Sequence, residues 1–183
     1  NELFNLKSEI QGYYEEINYL RSRKSNIPRE NLILREKIIR DLKLKEEDLP
    51  FIGELIEVRE EEKSWKGAIE RVLRHFALNL LVDGENYARL NAYVNQTHLG
   101  RRISYYPVTS IGRCVGNLDA SYLPAKVEVK GDNPLFADWV RFNLNNNYNY
   151  KCCEDEEEFN RECPAVTKNG LVKHRNKRHE KDD

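Results

Sequence analysis

The sequence predicts an α/β (α+β) protein, in which a body of two similar halves follows a coiled-coil helix. Three observations lead to this fold class. Apolar residues recur at heptad spacing over the first twenty positions, strand-like and helix-like segments then alternate, and the alternating region repeats itself after about seventy residues. A chain of 183 residues has room for one domain with an appended helix.

The N-terminal segment has the pattern of a coiled-coil arm. Its apolar positions follow the alternating three- and four-residue steps of a supercoiled helix, and they are Leu3, Leu6, Ile10, Tyr13, Ile17 and Leu20. These six residues form an apolar seam along one side of the helix, and such a seam needs a partner helix. Because fewer than three heptads are visible, the alternative is an amphipathic helix that packs on its own domain. Pro28 suits the first turn of a second helix, which we expect to run to about Leu42.

The body begins near Leu49 and alternates strands with helices. The apolar spacing predicts a short strand at 51–58, a helix over 65–76, a buried strand at 78–82, a helix over 87–94 and a further strand at 103–108. Strands that alternate with helices in this way favour an α/β layer arrangement.

The body also contains an internal repeat. At a spacing of 71, Glu57, Val58, Trp65, Ile69 and Leu73 match Glu128, Val129, Phe136, Val140 and Leu144; at a spacing of 72, Asp83, Glu85, Tyr87 and Arg89 match Asp155, Glu157, Phe159 and Arg161. The loops at 98–101 and 168–171 each hold a glycine and are matched as well. We therefore expect two halves related by a pseudo-twofold axis. The alternative is that any two β-α-β units share such a periodicity.

Composition and motifs argue against several classes of function. Thirty Lys and Arg residues against 31 Asp and Glu give a net charge of −1, so only local patches favour a polyanion. No apolar run is long enough to span a bilayer, and no signal peptide is visible. The sequence contains no H-E-x-x-H, G-x-S-x-G, phosphate-binding loop or EF-hand pattern, which disfavours an enzyme.

The cysteines favour a reducing compartment over a disulfide framework. Two of the four are adjacent, and no C-x-x-C spacing occurs. A zinc site can be imagined from Cys152, Cys153, Cys163, His174 and His179. Its spacing matches no usual ligand pattern, and buried cysteines are common, so we expect no metal.

Two groups of basic residues are candidates for DNA contact. One is Arg101, Arg102 and Arg113, in a stretch without a single acid; the other is Lys173, Arg175, Lys177 and Arg178. Lysine and arginine bind the DNA backbone by displacing counterions, without sequence preference. The alternative is an ordinary solvated loop and a frayed terminus.

Four stretches of the body resemble a known family. Residues 49–58 (LPFIGELIEV) and 65–73 (WKGAIERVL) are similar to the first half of the hinge of SMC proteins, the long ATPases that organise DNA. In that hinge, a coiled-coil arm leads into two similar α/β halves. Residues 87–103 and the basic end at 174–183 resemble the MukB-like SMC subunit JetC of Wadjet plasmid-defence systems. The resemblance covers the chain from about Ser25 to its end.

The resemblance implies a division of the chain and a set of partners. It implies the end of a coiled-coil arm at 1–25, a connecting helix at 26–48, a first hinge half at 49–118, and a second half with the basic segment at 119–183. The parent would be a cytoplasmic, nucleoid-associated DNA loop extruder that eliminates plasmids with kleisin and other Wadjet subunits. ATP and Mg would bind only at heads outside this segment, which carries no cofactor of its own.

The resemblance also implies a homodimer formed by edge strands. An edge from the first half of one chain would meet the second half of the other, and the matching segments here are 100–105 and 165–172. The expected interface residues are Gly100, Arg101, Ile103, Tyr105, Val166, Gly170, Leu171 and Val172. The alternative is that the glycines end helices and the edges are capped internally. The alternative hypothesis for the whole chain is a stand-alone nucleic-acid-binding module without a dimerisation role.

Overall fold

In the computed structural model, a long helix leads into a body of two α/β halves. The structure describes residues 1–112, 116 and 118–183; for residues 18 and 21–25 it describes the backbone alone. The helices are α1 (Glu2–Ser25), α2 (Arg29–Leu42), α3 (Lys66–Ala77), α4 (Gly84–Gln96), α5 (Pro134–Asn147) and α6 (Glu156–Arg161). The strands are β1 (Ile56–Val58), β2 (Leu80–Asp83), β3 (Tyr105–Val108), β4 (Val127–Val129), β5 (Lys151–Cys153), β6 (Ala165–Thr167), β7 (Val172–Lys173) and β8 (His179–Glu180). The predicted α/β class is confirmed. In the described part of the chain, no helix is both long and apolar enough to cross a membrane.

Helix α1 forms the predicted arm. Its six seam residues are exposed, the least exposed being Ile17 at 42%. This exposure contradicts the alternative in which the seam packs on its own domain. Helix α2 runs back beside the second half of α1: Glu15 pairs with Arg29 at 3.7 Å, and Tyr14 and Ile17 line a groove of about 380 Å³ between the two helices.

Helix α2 anchors the arm to the first half. Leu32 and Ile38 are fully buried against the body, and Arg35 is buried between them. The Arg35 guanidinium donates to both carboxylate oxygens of Glu54, one of them at 3.1 Å, and lies 5.0 Å from the Phe51 ring centroid. A buried guanidinium needs such partners, because an unpaired buried charge costs several kcal/mol, about 3–5 in measured cases.

The two halves share one strand order. In the first half, Phe51 bridges antiparallel to Leu80 at the start of β2, and β2 pairs in parallel with β3. In the second, Tyr122 bridges antiparallel to Lys151 at the start of β5, and β5 pairs in parallel with β6. Both bridges join residues that are equivalent at a spacing of 71, so the predicted duplication is confirmed. The second half then adds the antiparallel hairpin β7–β8.

The pseudo-twofold axis passes through the pairing of β1 with β4. These strands are antiparallel, and Glu57 lies opposite Glu128, its own equivalent in the repeat. The backbone bonds on either side are related in the same way: Arg59 N–H donates to the Lys126 carbonyl at 2.9 Å, and Lys130 N–H donates to the Leu55 carbonyl at 2.7 Å.

Two apolar clusters hold the chain together. The central core lies between α3 and α5, and its two largest fully buried side chains are the equivalent residues Trp65 and Phe136. The arm-side core joins α2, α4 and the sheet of the first half; it contains Ile27, Leu32, Leu34, Ile38, Leu49, Phe51, Leu80, Val82 and Leu90. Side chains alternate along a strand, so Leu81 enters the central core while its neighbours on β2 enter the arm-side core.

The predicted strand at 51–58 is wrong over most of its length. Residues Ile52–Leu55 form a 3₁₀ turn, and only Ile56–Val58 is extended. The Glu54 carboxylate accepts from Phe51 N–H at 2.9 Å and from Arg35, which closes the turn locally. Leu123–Lys126 forms the same turn in the second half. A short apolar run does not distinguish such a turn from a strand.

The predicted match between the two glycine loops is also wrong. Leu80 pairs with Tyr105, 25 positions on, whereas Lys151 pairs with Ala165, only 14 positions on, since α6 is much shorter than α4. Gly100 therefore precedes the third strand of its half, while Gly170 follows the third strand of the other, in the turn between β6 and β7.

We predict that alanine is more costly at position 170 than at position 100, because the Arg71 side chain must move to admit it. Both glycines have a positive φ, +85° at Gly170 and +72° at Gly100, so alanine at either costs roughly 1–2 kcal/mol. A Cβ at Gly100 meets open space, whereas one at Gly170 comes within 2.9 Å of Arg71 side-chain carbons. Urea unfolding of Gly100→Ala and Gly170→Ala measures the difference. Equal loss of stability in the two variants contradicts the packing of Arg71 over Gly170.

Candidate dimerisation and nucleic-acid interface

The outer edge of β3 is the open strand edge in the first half. Among the described residues β3 pairs only with β2. The Ser104 carbonyl accepts from Leu80 N–H at 2.9 Å, and neighbouring residues of a strand direct their backbone groups to opposite sides. The backbone groups of Tyr105 and Pro107 therefore face away from β2. Proline has no N–H to offer there, which is the usual place for proline in an edge strand.

The predicted interface residues of the first half lie along or just before this edge. Gly100, Arg101 and Arg102 are exposed in the loop before β3. Ile103 and Tyr105 are half-buried, and both pack against the arm-side core. Their role in dimerisation stays a prediction.

An aromatic surface that the sequence did not predict lies beside this edge. Tyr106 is 43% exposed, and its ring centroid lies 5.1 Å from that of Trp139 on α5. Trp139 stacks in turn on Phe76, at 6.2 Å, and Phe76 meets the Tyr148 ring at 4.5 Å. Successive side chains of a strand point to opposite faces of the sheet, so Tyr106 and Tyr105 lie on different faces of β3. The contact with α5 had no signal in the sequence.

The predicted edge in the second half is wrong. Strand β6 lies between β5 and β7, so it has no open side. Val166 is fully buried, Val172 is 3% exposed, and Leu171 is half-buried in a small cluster with Phe159. Gly170 is buried beneath the Arg71 side chain. The hairpin covers the side of β6 that corresponds to the outer edge of β3, and the terminal strand of the second sheet is β8.

The second basic group is largely engaged within the chain. Lys173 is buried at 7% exposure, and its ammonium donates to the carbonyls of Phe159 and Glu162, the latter at 2.8 Å, so the proposed phosphate contact is wrong for this residue. Arg178 pairs with Glu180 at 3.0 Å, and Arg175 donates to the Asn146 carbonyl at 2.9 Å.

The basic residues are also divided between the two sheets. Arg101 and Arg102 precede β3, Lys177 lies exposed in the turn between β7 and β8, and Arg113 lies outside the described residues. Within the described chain, the predicted DNA-binding residues that remain exposed are therefore the pair Arg101 and Arg102 and the residues of the β7–β8 turn.

A hydrogen-bonded chain closes the β7–β8 hairpin on the body. The Tyr150 hydroxyl and His174 Nδ1 are 2.7 Å apart, and His174 Nε2 lies 3.0 Å from a Glu180 carboxylate oxygen. Burial raises the pKa of Tyr150, so the phenol stays protonated at neutral pH. Hydrogen bonds from His174 and Arg178 lower the pKa of the Glu180 carboxyl, and the stabilisation that this gives is lost as the pH falls through that lowered value.

The buried cysteines are poorly suited to nucleophilic or metal chemistry. Burial raises the pKa of Cys152 to about 12 and that of Cys153 to about 11. Thiols with such pKa values remain protonated, whereas the thiolate is the nucleophile and the ligand. Within the described residues, no group of three His, Cys, Asp or Glu side chains is placed to hold a metal ion.

The chain is similar in structure to several solved domains. It superposes on the Smc hinge domain with an extended coiled coil from Pyrococcus furiosus with a TM-score of 0.59 at 20% identity, covering 98% of this chain and 67% of that one. An asymmetric dimer of the SMC hinge domain of Geobacillus stearothermophilus gives 0.60 at 16% identity, with 100% and 76% covered. A structure of the folded elbow of cohesin gives 0.57 at 17% identity, and this chain covers 28% of it.

These similarities concern the fold. No protein-family model matches the sequence, and no curated protein matches it significantly. The two hinge superpositions extend over 98% and 100% of this chain, so they include its helical arm. The chain therefore has the fold of an SMC hinge domain, with its N-terminal coiled-coil helix.

Proposed function

We propose that this chain is the dimerisation hinge of an SMC/condensin-like ATPase. The observation that carries the proposal is the open outer edge of β3 in a body that has the SMC-hinge fold. An open edge with exposed aromatic surface beside it favours association with another chain. The asymmetric dimer described for the Geobacillus stearothermophilus hinge supports a second copy as the partner.

The proposed interface differs from the one expected from the sequence. On the first half it consists of the outer edge of β3 with Tyr106, next to Arg101 and Arg102. On the second half the hairpin β7–β8 takes the place of 165–172, because β6 is enclosed. Two copies related by a twofold axis would use each surface twice and leave no edge open.

We further propose that the parent is a Wadjet JetC-like loop extruder that acts with kleisin and other subunits against plasmids, in the nucleoid. The support is the sequence resemblance at 87–103 and 174–183. ATP and Mg would bind at heads outside this chain. The alternative of a stand-alone nucleic-acid-binding module is less well supported, because Lys173 is buried and Arg178 is paired.

We predict that Tyr106→Glu converts a dimer of this chain into a monomer. A buried carboxylate at the edge of β3 would be left unpaired, so we expect the dissociation constant to rise by at least about tenfold. Light scattering coupled to size exclusion measures the mass. The matched control is Ile33→Glu, since Ile33 is exposed to a similar extent, 47% against 43%, but lies on α2.

Two results contradict the proposed interface. A wild-type chain that stays monomeric at several hundred micromolar removes the dimerisation proposal for the chain. A dimer that tolerates Tyr106→Glu as well as Ile33→Glu keeps dimerisation and removes β3 from the interface.

We predict weak DNA binding that depends on Arg101 and Arg102. Each phosphate contact contributes about 0.9 to the slope of log affinity against log salt, so Arg101→Gln with Arg102→Gln should lower that slope by nearly 2. Titration of a labelled duplex between low and moderate salt measures it. The control is Lys63→Gln with Lys66→Gln, two exposed lysines that pair with Glu60 and Glu70. An unchanged slope in the arginine variant contradicts the contact.

A further inference from the structure

Helix α4 lies between the base of the arm and the open edge strand. On one side it is bound to α2: the Tyr93 hydroxyl donates to the Asp41 carboxylate at 2.7 Å, and Arg89 donates to the carbonyl of Leu42, the last residue of α2. Residues four apart lie on the same face of a helix, so Arg89 and Tyr93 form one contact surface.

On its other side α4 is bound to β3. The Tyr105 hydroxyl donates to the Asn91 side-chain oxygen at 2.7 Å. Asn91 lies halfway between Arg89 and Tyr93 in sequence, and a step of two residues turns a helix by about 200°. The same helix therefore binds α2 with one face and β3 with the other, while Leu90 is fully buried in the arm-side core.

Tyr105 joins the contacts of α4 to the outer edge of β3. Its hydroxyl is bound to Asn91, while its backbone N–H and C=O face the open side of β3. Any shift of α4 that moves the phenol thus also moves the backbone groups that an incoming strand would meet. Burial raises the pKa of Tyr105, and burial together with the bond to Asp41 raises the pKa of Tyr93 to about 12, so both phenols remain hydrogen-bond donors.

We propose that α4 couples the position of the arm base to the outer edge of β3, so that a displacement of α2 weakens self-association at that edge. The inference rests on the proposed dimerisation. Its physical basis is that a loosely held edge strand must be ordered when a partner binds, and this ordering lowers affinity. Coupling between two sites is reciprocal, so dimer formation should in turn strengthen the attachment of α2 to α4.

The test uses variants of α4 that remove its polar contacts with α2 and keep the Tyr93 ring on the arm-side core. Tyr93→Phe with Arg89→Ala removes both polar contacts of α4 with α2. We expect the dissociation constant of the dimer to rise roughly three- to tenfold, the effect of one or two lost hydrogen bonds. Asn95→Ala is the matched control, because Asn95 is an exposed residue of the same helix. Circular dichroism checks that all variants are folded.

A double-mutant cycle separates coupling from simple loss of stability. Tyr105→Phe removes the bond to Asn91, and combining it with the α2-side variant should add less than its separate effect, since both break one connection. Hydrogen exchange across 105–108 gives a second readout that needs no dimer. It should be faster in the α2-side variant than in Asn95→Ala.

The outcomes distinguish the coupling from the dimerisation on which it rests. A dimer that Tyr106→Glu weakens and the α2-side variant leaves unchanged overturns the coupling and keeps the proposed function. A monomeric wild-type chain overturns the proposed function. Unchanged hydrogen exchange at 105–108 in the α2-side variant overturns the connection from α2 to β3 in either case.

Discussion

The antiparallel pairing of β1 with β4 is the contact on which the two-half body depends. It places equivalent residues opposite one another, and the charges around it repeat the same symmetry: Arg59 pairs with Glu128 at 2.8 Å, and Lys130 pairs with Glu57. Ion pairs as exposed as these contribute less than about 1 kcal/mol each to the stability of the fold, but they favour this register of β1 and β4 over shifted ones. That register brings α3 and α5 face to face and so allows Trp65 and Phe136 to share one core.

The two halves differ at the outer side of their third strand. Both build two parallel strands on an antiparallel bridge, but only the second continues into a hairpin that covers its third strand. The hairpin is secured by Lys173, whose buried ammonium binds the carbonyls at the end of α6, and by the contacts of His174 with Tyr150 and Glu180. The first half has no such cover in the described chain, so the outer edge of β3 stays open.

The sequence predicted the features that depend on local periodicity and on matched positions. The arm, α2, the α/β class and the duplication all followed from apolar spacing and from pairs such as Trp65 and Phe136. What failed depended on three-dimensional neighbours. The match of Gly100 to Gly170 was wrong because α6 is shorter than α4. Lys173 was predicted to be a surface cation because its acceptors are backbone carbonyls, which carry no residue-specific signal in the sequence. Tyr106 was missed because its partner Trp139 is distant in sequence.

The division into two cores has a mechanical consequence. Helix α2 contributes to the arm-side core, which contains no strand of the second half, whereas the central core joins both halves. A force that enters through the arm therefore acts first on the first half, through Arg35 and Glu54 and through the contacts of α4. It reaches the second half across the β1–β4 pairing and through the central core, where Tyr106 and Phe76 contact Trp139. Because a packed core deforms little, such a force would be passed on to β3 rather than absorbed by local distortion of the core.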